Sequence, residues 1–426
     1  MSTEGLPMSA TTSTRTIART QLSTTASLVL LTSLVVSFLA ASAVPTPLYA
    51  VYQSEWGFSP ITTTVVFGVY AVAVLLALLM LGRLSDHVGR RPVLLAGLLG
   101  QSVAMVVFTT AAGVPELLVA RVVQGIATGA ALGAVGAGLL DLDRSRGSVL
   151  NSVAPGAGTA TGALLSGLVV QFLPAPTHLV YVAAIAVFAV QAVGVVLMAE
   201  TVTRRPGARQ SLVPDLALPR SARRAVLGAA PVLFAVWALA GFYGSLGPAI
   251  VHEVTGSTTI VMGGLALSVL AGVAAAAVYV LREMEPRAVM ALGILALVAG
   301  VAITLTAIDA GSTSLFFLGT AVAGVGFGSG FQGGIRTVIP LLEAHQRAGV
   351  LSVLYIVSYL GMGLPAVAAG FLVVDGGGLL TTSYEYGFAV MALALAALTV
   401  VVRRTTPAVA PAPAVAAREL CGQGAR

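Results

Sequence analysis

Residues Gly82 to Leu94 read GRLSDHVGRRPVL, a knot of charge set between two long apolar runs. Neither run, Ile61 to Leu81 before it or Val93 to Val114 after it, contains a charged residue. Each is close to the roughly 20 residues that a helix needs to cross the hydrocarbon core of a bilayer. A short arginine-rich turn therefore joins two membrane helices, and the positive-inside rule puts that turn in the cytosol. Composition agrees. Hydrophobic residues make up 57% of the chain and charged residues 9%, with a mean hydropathy of +0.98, whereas soluble domains carry about 25% charged residues.

Twelve such runs can be read along the chain: Ser27–Tyr49, Ile61–Leu81, Val93–Gly113, Leu117–Leu140, Val149–Leu173, Leu179–Ala199, Val226–Val251, Ile260–Leu281, Ala288–Ile308, Leu315–Leu341, Val350–Val374 and Tyr386–Val402. With both termini placed in the cytosol, 20 of the 22 arginines fall in cytosolic segments and the other two, Arg121 and Arg336, fall within spans. The inverted topology would export nearly every arginine, against the bias that sets orientation. The expectation is a multi-pass protein of the cytoplasmic (inner) membrane. All 22 basic residues are arginine, and they are dispersed among short loops, so the formal charge of +6 does not indicate nucleic-acid binding. The single cysteine, Cys421, excludes an intramolecular disulfide and a thiolate metal site.

Internal repetition divides the spans into two sets of six. Arg121–Gly133, RVVQGIATGAALG, matches Thr320–Gln332, TAVAGVGFGSGFQ, which sets Gly125 and Gly129 opposite Gly324 and Gly328. SVLNSV…GLVV (Ser148 to Val170) matches SVLYIV…GFLVV (Ser352 to Val374), and Pro47 falls opposite Pro248. The first span, with Arg15, Arg19 and Ala41-Ser42-Ala43, imitates a cleaved signal peptide. Cleavage would remove the partner of span 7, so that reading loses. The division expected is a cytosolic N-terminal tail (1–25), a first six-helix half (26–199), a cytosolic linker (200–225), a second half (226–402) and a cytosolic C-terminal tail (403–426). The Ser/Thr-rich and Pro/Ala-rich tails read as disordered.

The order G-x-L-small-D-x-x-G-R-R-x-x-L in the knot resembles the loop between helices 2 and 3 of the major facilitator superfamily of secondary transporters. Ser85 stands where that family usually has alanine, and His87 where it usually has a basic residue. The resemblance implies an all-α polytopic membrane protein, with 12 transmembrane helices in two six-helix pseudo-symmetric halves. It also implies a latch between the halves in the outward-facing state, made by Gly82, Asp86, Gly89, Arg90 and Arg91 with an acid at the end of helix 4, here Asp141. The second half reads LREMEPR from Leu281 to Arg287 and lacks the frame, so any latch is asymmetric. The plainer alternative is that these charges only fix topology.

Arg121, followed by Gln124 and Gly125, reads R-x-x-Q-G and resembles a second signature of the family, whose arginine faces the central cavity and takes part in coupling. An intramembrane charge is a functional hypothesis by default, and the competing reading is an arginine snorkelling to the outer headgroups. Arg336, near the cytosolic end of its span, is within snorkelling reach of water. Glycines 125, 129 and 133 form a stripe that either lines a cavity or packs on a neighbouring helix. Span 5 carries Pro155, Gly156, Gly158, Gly162, Ser166 and Gly167, a looser version of the family's antiporter signature that is equally explained by close helix packing. Candidates for a cavity wall are Gln124, Asn151, Trp237, Tyr243, Gln332, Tyr355 and Tyr359. No span offers a buried acid as a proton carrier; Asp86, Asp141 and Glu253 are what remains.

The four histidines (His87, His178, His252 and His345) have no ligand spacing, and no catalytic triad or phosphate-cradling loop is visible, so an enzyme is not expected. The resemblance implies alternating access around a midplane site, with a small-molecule substrate, protons and the lipid bilayer as partners. A monomer, no bound cofactor and no metal are expected, with a proton gradient as the energy source. The family's drug/proton antiporter-type efflux members look similar, which implies export of an amphiphilic or drug-like compound and multidrug resistance. Uptake of a sugar or organic acid by symport is the alternative. A transport-inactive sensor or scaffold on the same fold is the third.

Overall fold

The structure, a computed structural model, describes residues 21–403 except 258. All regular structure among these residues is helical. The first half contains α1 (Thr24–Ala43), α2 (Pro45–Trp56), α3 (Pro60–Leu81), the short α4 (Ser85–Val88), α5 (Arg90–Thr109), α6 (Val114–Leu142), α7 (Arg144–Phe172) and α8 (Pro176–Leu197). The second half contains α9 (Arg220–Ser245), α10 (Gly247–Thr255), α11 (Ile260–Val280), α12 (Pro286–Ala310), α13 (Thr313–Val338), α14 (Arg347–Asp375) and α15 (Gly378–Arg403). Among the described residues, with α1–α2 counted as one broken span, twelve helices are long and apolar enough to cross a membrane. Large apolar side chains such as Val190, 73% exposed, cover the outside of the bundle. That surface suits acyl chains and would be unstable in water. Both expected tails lie outside the described residues, apart from 21–25 and 403.

Two helix breaks show how the sequence dictates the architecture. Proline has no N–H, so Pro45 leaves the Ala41 carbonyl without its helical donor and Pro248 does the same for Gly244. The chain kinks at Val44 and at Leu246, at matching places in the two halves. Both freed carbonyls are taken up by side chains from elsewhere. Gln124 Nε2 donates to Ala41 O at 3.0 Å, and Thr46 Oγ1 donates across the halves to Gly244 O at 3.2 Å.

The knot, the linker and the 281–287 turn share one end of the bundle, the linker face. Residues 57–59, 173–175, 256–257, 259 and 311–312 form the opposite face. The halves meet along two seams of small residues. On one, Gly167 and Ala163 of α7 lie against Val261 and Gly264 of α11, and Gly156 lies against Ala271 and Ala275. Gln171 Oε1 closes the outer end of that seam by accepting from Ile260 N at 3.1 Å. On the other, Thr64, Gly68 and Ala71 of α3 meet Gly370, Val367 and Gly363 of α14. Toward the linker face, Asn151 and Ser152 of α7 are exposed.

Several helices exceed their apolar runs. α5 begins at Arg90 rather than Val93, and α9 begins at Arg220, so that Arg220, Arg223 and Arg224, within the expected linker of residues 200–225, belong to the helix of span 7. α15 begins at Gly378, eight residues before the expected Tyr386, and carries the exposed Glu385. The reason is common to all three: hydropathy marks where hydrocarbon ends, while the helical hydrogen-bond ladder continues into the headgroup layer.

Candidate functional site

The charged knot closes on the first half and the linker. Gly89 adopts φ +102°, a backbone conformation open to glycine, and a Cβ there would lie 2.6 Å from the Glu200 carboxylate. That carboxylate caps α5, accepting from the Arg90 N–H at 2.8 Å and the Arg91 N–H at 3.1 Å, where the helix dipole favours negative charge. The Arg90 side chain is buried. It donates to Asp86 Oδ1 at 2.5 Å, Ser85 Oγ at 2.6 Å and Asp141 Oδ2 at 3.2 Å. Arg91 ties the turn to the end of α8 through the carbonyls of Val195 and Val196. Gly82 lies against Gly133 of α6, where a Cβ would come within 2.9 Å. The structure thus brings Gly82, Asp86, Gly89, Arg90, Arg91 and Asp141 together, in contact with α6, α8 and the linker. His87 holds the linker as well: its carbonyl accepts from Arg205 N at 2.9 Å, and its Nδ1 lies 3.1 Å from Pro206 O.

Arg121 is fully buried inside the first half. Its Nε and Nη2 donate to Tyr49 Oη at 2.9 and 2.5 Å, and its Nη1 donates to Ser42 O at 2.9 Å and Gln124 Oε1 at 2.7 Å. The rings of Tyr49, Tyr70 and Phe108 surround it, with centroids 5.6, 5.1 and 5.7 Å from Cζ, at cation–π range. Among the described residues no carboxylate lies within ion-pairing distance of it. The guanidinium therefore reaches neither the outer headgroups nor an open cavity in this conformation. The glycine stripe packs on α3: a Cβ on Gly125 would meet Ala73 at 2.6 Å, and one on Gly129 would meet Ala77 and the Val74 carbonyl at 2.6 Å. Gln124 extends the polar cluster through Thr128 to Gln101, whose Oε1 is buried without a partner.

Trp237 and Tyr359 come together where the second half faces the first, with ring centroids 5.1 Å apart, and Phe327 and Phe331 pack edge-on against Trp237. Tyr355 and Tyr359 lie one helical turn apart on α14. The Tyr70 ring that covers Arg121, 5.1 Å from Cζ, belongs to α3, and α3 packs on α14, the helix that carries Tyr355 and Tyr359. Among the described residues, the buried Trp237 Nε1 and Ser358 Oγ meet no hydrogen-bond partner. The other candidates lie elsewhere. Tyr243 is buried within the second half against Thr320 (3.0 Å) and lines a small apolar cavity with Phe242, Phe316 and Tyr386. Gln332 donates to the Val278 carbonyl of α11 at 3.0 Å. Asn151 is exposed on α7, over Gly136. Arg336 secures the 281–287 turn through the carbonyls of Leu281 and Met284.

A family model described as Major Facilitator Superfamily matches residues 29–287, more than half of the chain. The chain belongs to the Major Facilitator Superfamily. Its fold is shared by solved superfamily structures at low identity. The nucleoside transporter NupG superposes with a TM-score of 0.64 at 14% identity, covering 88% of this chain and 98% of that one. A bacterial homologue of the human lysosomal transporter Spinster, in an inward-facing and unoccupied conformation, gives 0.66 at 15%, covering 89% and 95%. In sequence, the class C tetracycline resistance protein of Escherichia coli is 41% identical over 107 residues, 24% of this chain and 27% of that protein. The chain thus matches about a quarter of that relative's length.

Residue type alone misses Glu200, Tyr49, Tyr70, Phe108 and Gln101. Glu200 reads as the first residue of a linker, and the three aromatics read as ordinary apolar positions. The one available signal is Pro45, which announces a free carbonyl and hence a nearby donor.

Proposed function

We propose that this superfamily member is a monomeric secondary transporter that exports an amphiphilic, drug-like compound across the cytoplasmic membrane in exchange for protons. The observation that carries the reading is the juxtaposition of Arg121 with the interface between the halves. A fixed positive charge, balanced by neutral oxygens and aromatic faces, lies against Tyr70 of α3, and α3 packs on α14, which carries Tyr355 and Tyr359 beside Trp237. Such a wall stacks on an apolar or aromatic ring, while the unpartnered Trp237 N–H and Ser358 hydroxyl offer hydrogen bonds to its polar edge. The arginine-rich linker face is assigned to the cytosol on the positive-inside argument. The seams packed toward the opposite face then support a state open to the cytosol, from which an exporter loads. Movement of the halves about α3/α14 and α7/α11 would expose the wall to the other side.

Everted membrane vesicles with an imposed pH gradient provide the test. Expected is substrate-induced proton release for at least one amphiphilic cation or neutral compound in a chemically diverse panel, absent from vesicles lacking the protein. Gradient-driven accumulation of a sugar or organic acid in intact cells, without export, would instead establish the symport reading. The aromatic wall with its free donors is compatible with a small polar ring, which is why symport is kept as the second reading.

A further inference from the structure

At the linker face of the second half, the starts of α9 and α12 and the end of α13 enclose a cavity of about 540 Å³. Its wall carries Arg224, Arg287 and Arg336 and a single acid, Glu285. Glu285 is engaged already. It caps α12, accepting from Ala288 N at 2.8 Å, and the backbone N–H groups of Arg287 and Ala288 hold its carboxyl below the usual carboxylate range. Ionised at neutral pH, it is outnumbered by Arg287 and Arg336, two guanidiniums against one carboxylate, with Arg224 beside them in the wall. The guanidinium of Arg336 is oriented by carbonyls, Leu281 at 3.4 Å and Met284 at 2.8 Å, which fix its charge without cancelling it. Arg287 stands exposed beside the cavity.

The setting selects the kind of anion. These arginines lie where two membrane helices begin and a third ends, at the depth of lipid headgroups. Met290, Pro340 and Leu341 form an apolar sill, and about half of Leu341 is exposed at the surface. A soluble anion has no use for that sill, whereas the acyl chains of a phospholipid lie along it. A zwitterionic headgroup would bring its own ammonium against the same guanidiniums. We propose that this cavity binds the phosphate of an anionic phospholipid such as phosphatidylglycerol, tethering the second half to the leaflet on the linker side. The site is separate from the interface between the halves and does not depend on the direction of transport. Arginine forks grip phosphate oxygens bidentately, and each basic residue near an anionic surface is worth about a five-fold change in affinity.

The test uses the full-length protein purified in detergent and titrated separately with dioleoylphosphatidylglycerol, dioleoylphosphatidylcholine and inorganic phosphate. Bound lipid is read by native mass spectrometry and stabilisation by thermal unfolding. Phosphatidylglycerol is expected to be retained and to raise the unfolding temperature, with the other two ligands inert. Arg287→Gln, at an exposed position that the fold does not need, should weaken retention about five-fold. Arg282→Gln serves as the control, since Arg282 lies on the same face outside the cavity, paired with Glu283 and placed over Tyr279, and it should leave retention unchanged. Unchanged binding in Arg287→Gln, or equal weakening by Arg282→Gln, would overturn the site. Equal stabilisation by inorganic phosphate would overturn its assignment to lipid.

Discussion

At the scale of single residues, Arg121 poses the sharpest energetic question. Holding a guanidinium at the centre of a membrane helix costs about 2.5–3.5 kcal/mol on insertion scales. Four hydrogen bonds and three aromatic faces offset that cost here. The planar fork is what allows Tyr49, Ser42 and Gln124 to be served at once, and a lysine ammonium lacks it. Arg121→Lys is therefore expected to express normally and to lose coupled transport. Arg121→Ala, which strands the Tyr49 hydroxyl and the Gln124 carbonyl, should in addition lower stability by about 1–3 kcal/mol. Transport counts in vesicles and thermal unfolding in detergent separate the two effects. Normal transport by the lysine variant would mean that charge alone suffices. The R-x-x-Q-G pattern marked this residue in the sequence. Its cage was illegible because Tyr49, Tyr70 and Phe108 come from three other helices, and nothing in their local sequence distinguishes them from lipid-facing aromatics.

At the scale of elements, α7 shows how small residues set helix spacing. Gly158 and Gly162 press against α1, where a Cβ on Gly162 would lie 2.2 Å from the Ala40 carbonyl. Gly156 and Gly167 instead face α11 in the other half. The same run of small residues therefore serves packing within a half and the seam between halves. A backbone carbonyl cannot swing aside as a side chain can, so Gly162→Ala should cost about 1–3 kcal/mol of stability. Gly272 in the α7/α11 seam would place its Cβ 3.5 Å from Ala160, an ordinary contact, and Gly272→Ala should unfold like the wild type. Thermal unfolding of both variants checks the contrast, and equal stability would show that α1 and α7 can separate at little cost. The glycine spacing in the sequence announced close packing. Which helix would fill each groove was not readable, because a glycine carries no side chain to specify its neighbour.

At the scale of the whole molecule, the broken helices hold the halves together on the face away from the linker. Thr46 Oγ1 reaches the Gly244 carbonyl that Pro248 leaves free. Thr46→Val keeps the shape and removes the bond, worth about 0.5–1.5 kcal/mol, enough to shift a balanced two-state equilibrium by roughly two- to ten-fold. Cysteine accessibility along the α7/α11 seam should rise on the opposite face by that factor, and no rise would show that the seam closes without this bond. Sidedness is tested by single cysteines in a Cys421→Ser background. Those at Ser59 and Ser314 should react with impermeant thiol reagents in intact cells, and one at the exposed Thr203 should not. Ser211, though central in the linker, is only 4% exposed, so its silence would say nothing about topology. Labelling at Thr203 in intact cells would reverse the assignment.

The sequence by itself determined the solvent and the class of fold. Twelve apolar runs of membrane length can satisfy their backbone groups only as helices, and a repeat offset by about 200 residues splits them into halves. It also marked the knot and Arg121, because charge beside or within hydrocarbon is costly enough to stand out. The tertiary structure decided the partners. Glu200 rather than a residue of the second half caps the knot, the glycine stripe of α6 faces α3, and Arg121 finds neutral oxygens instead of an acid. The physical reason is one of range. Hydropathy and helix geometry act within a span and can be read along the chain, whereas a hydrogen bond from Gln124 to Ala41 or from Thr46 to Gly244 exists only once distant helices have packed.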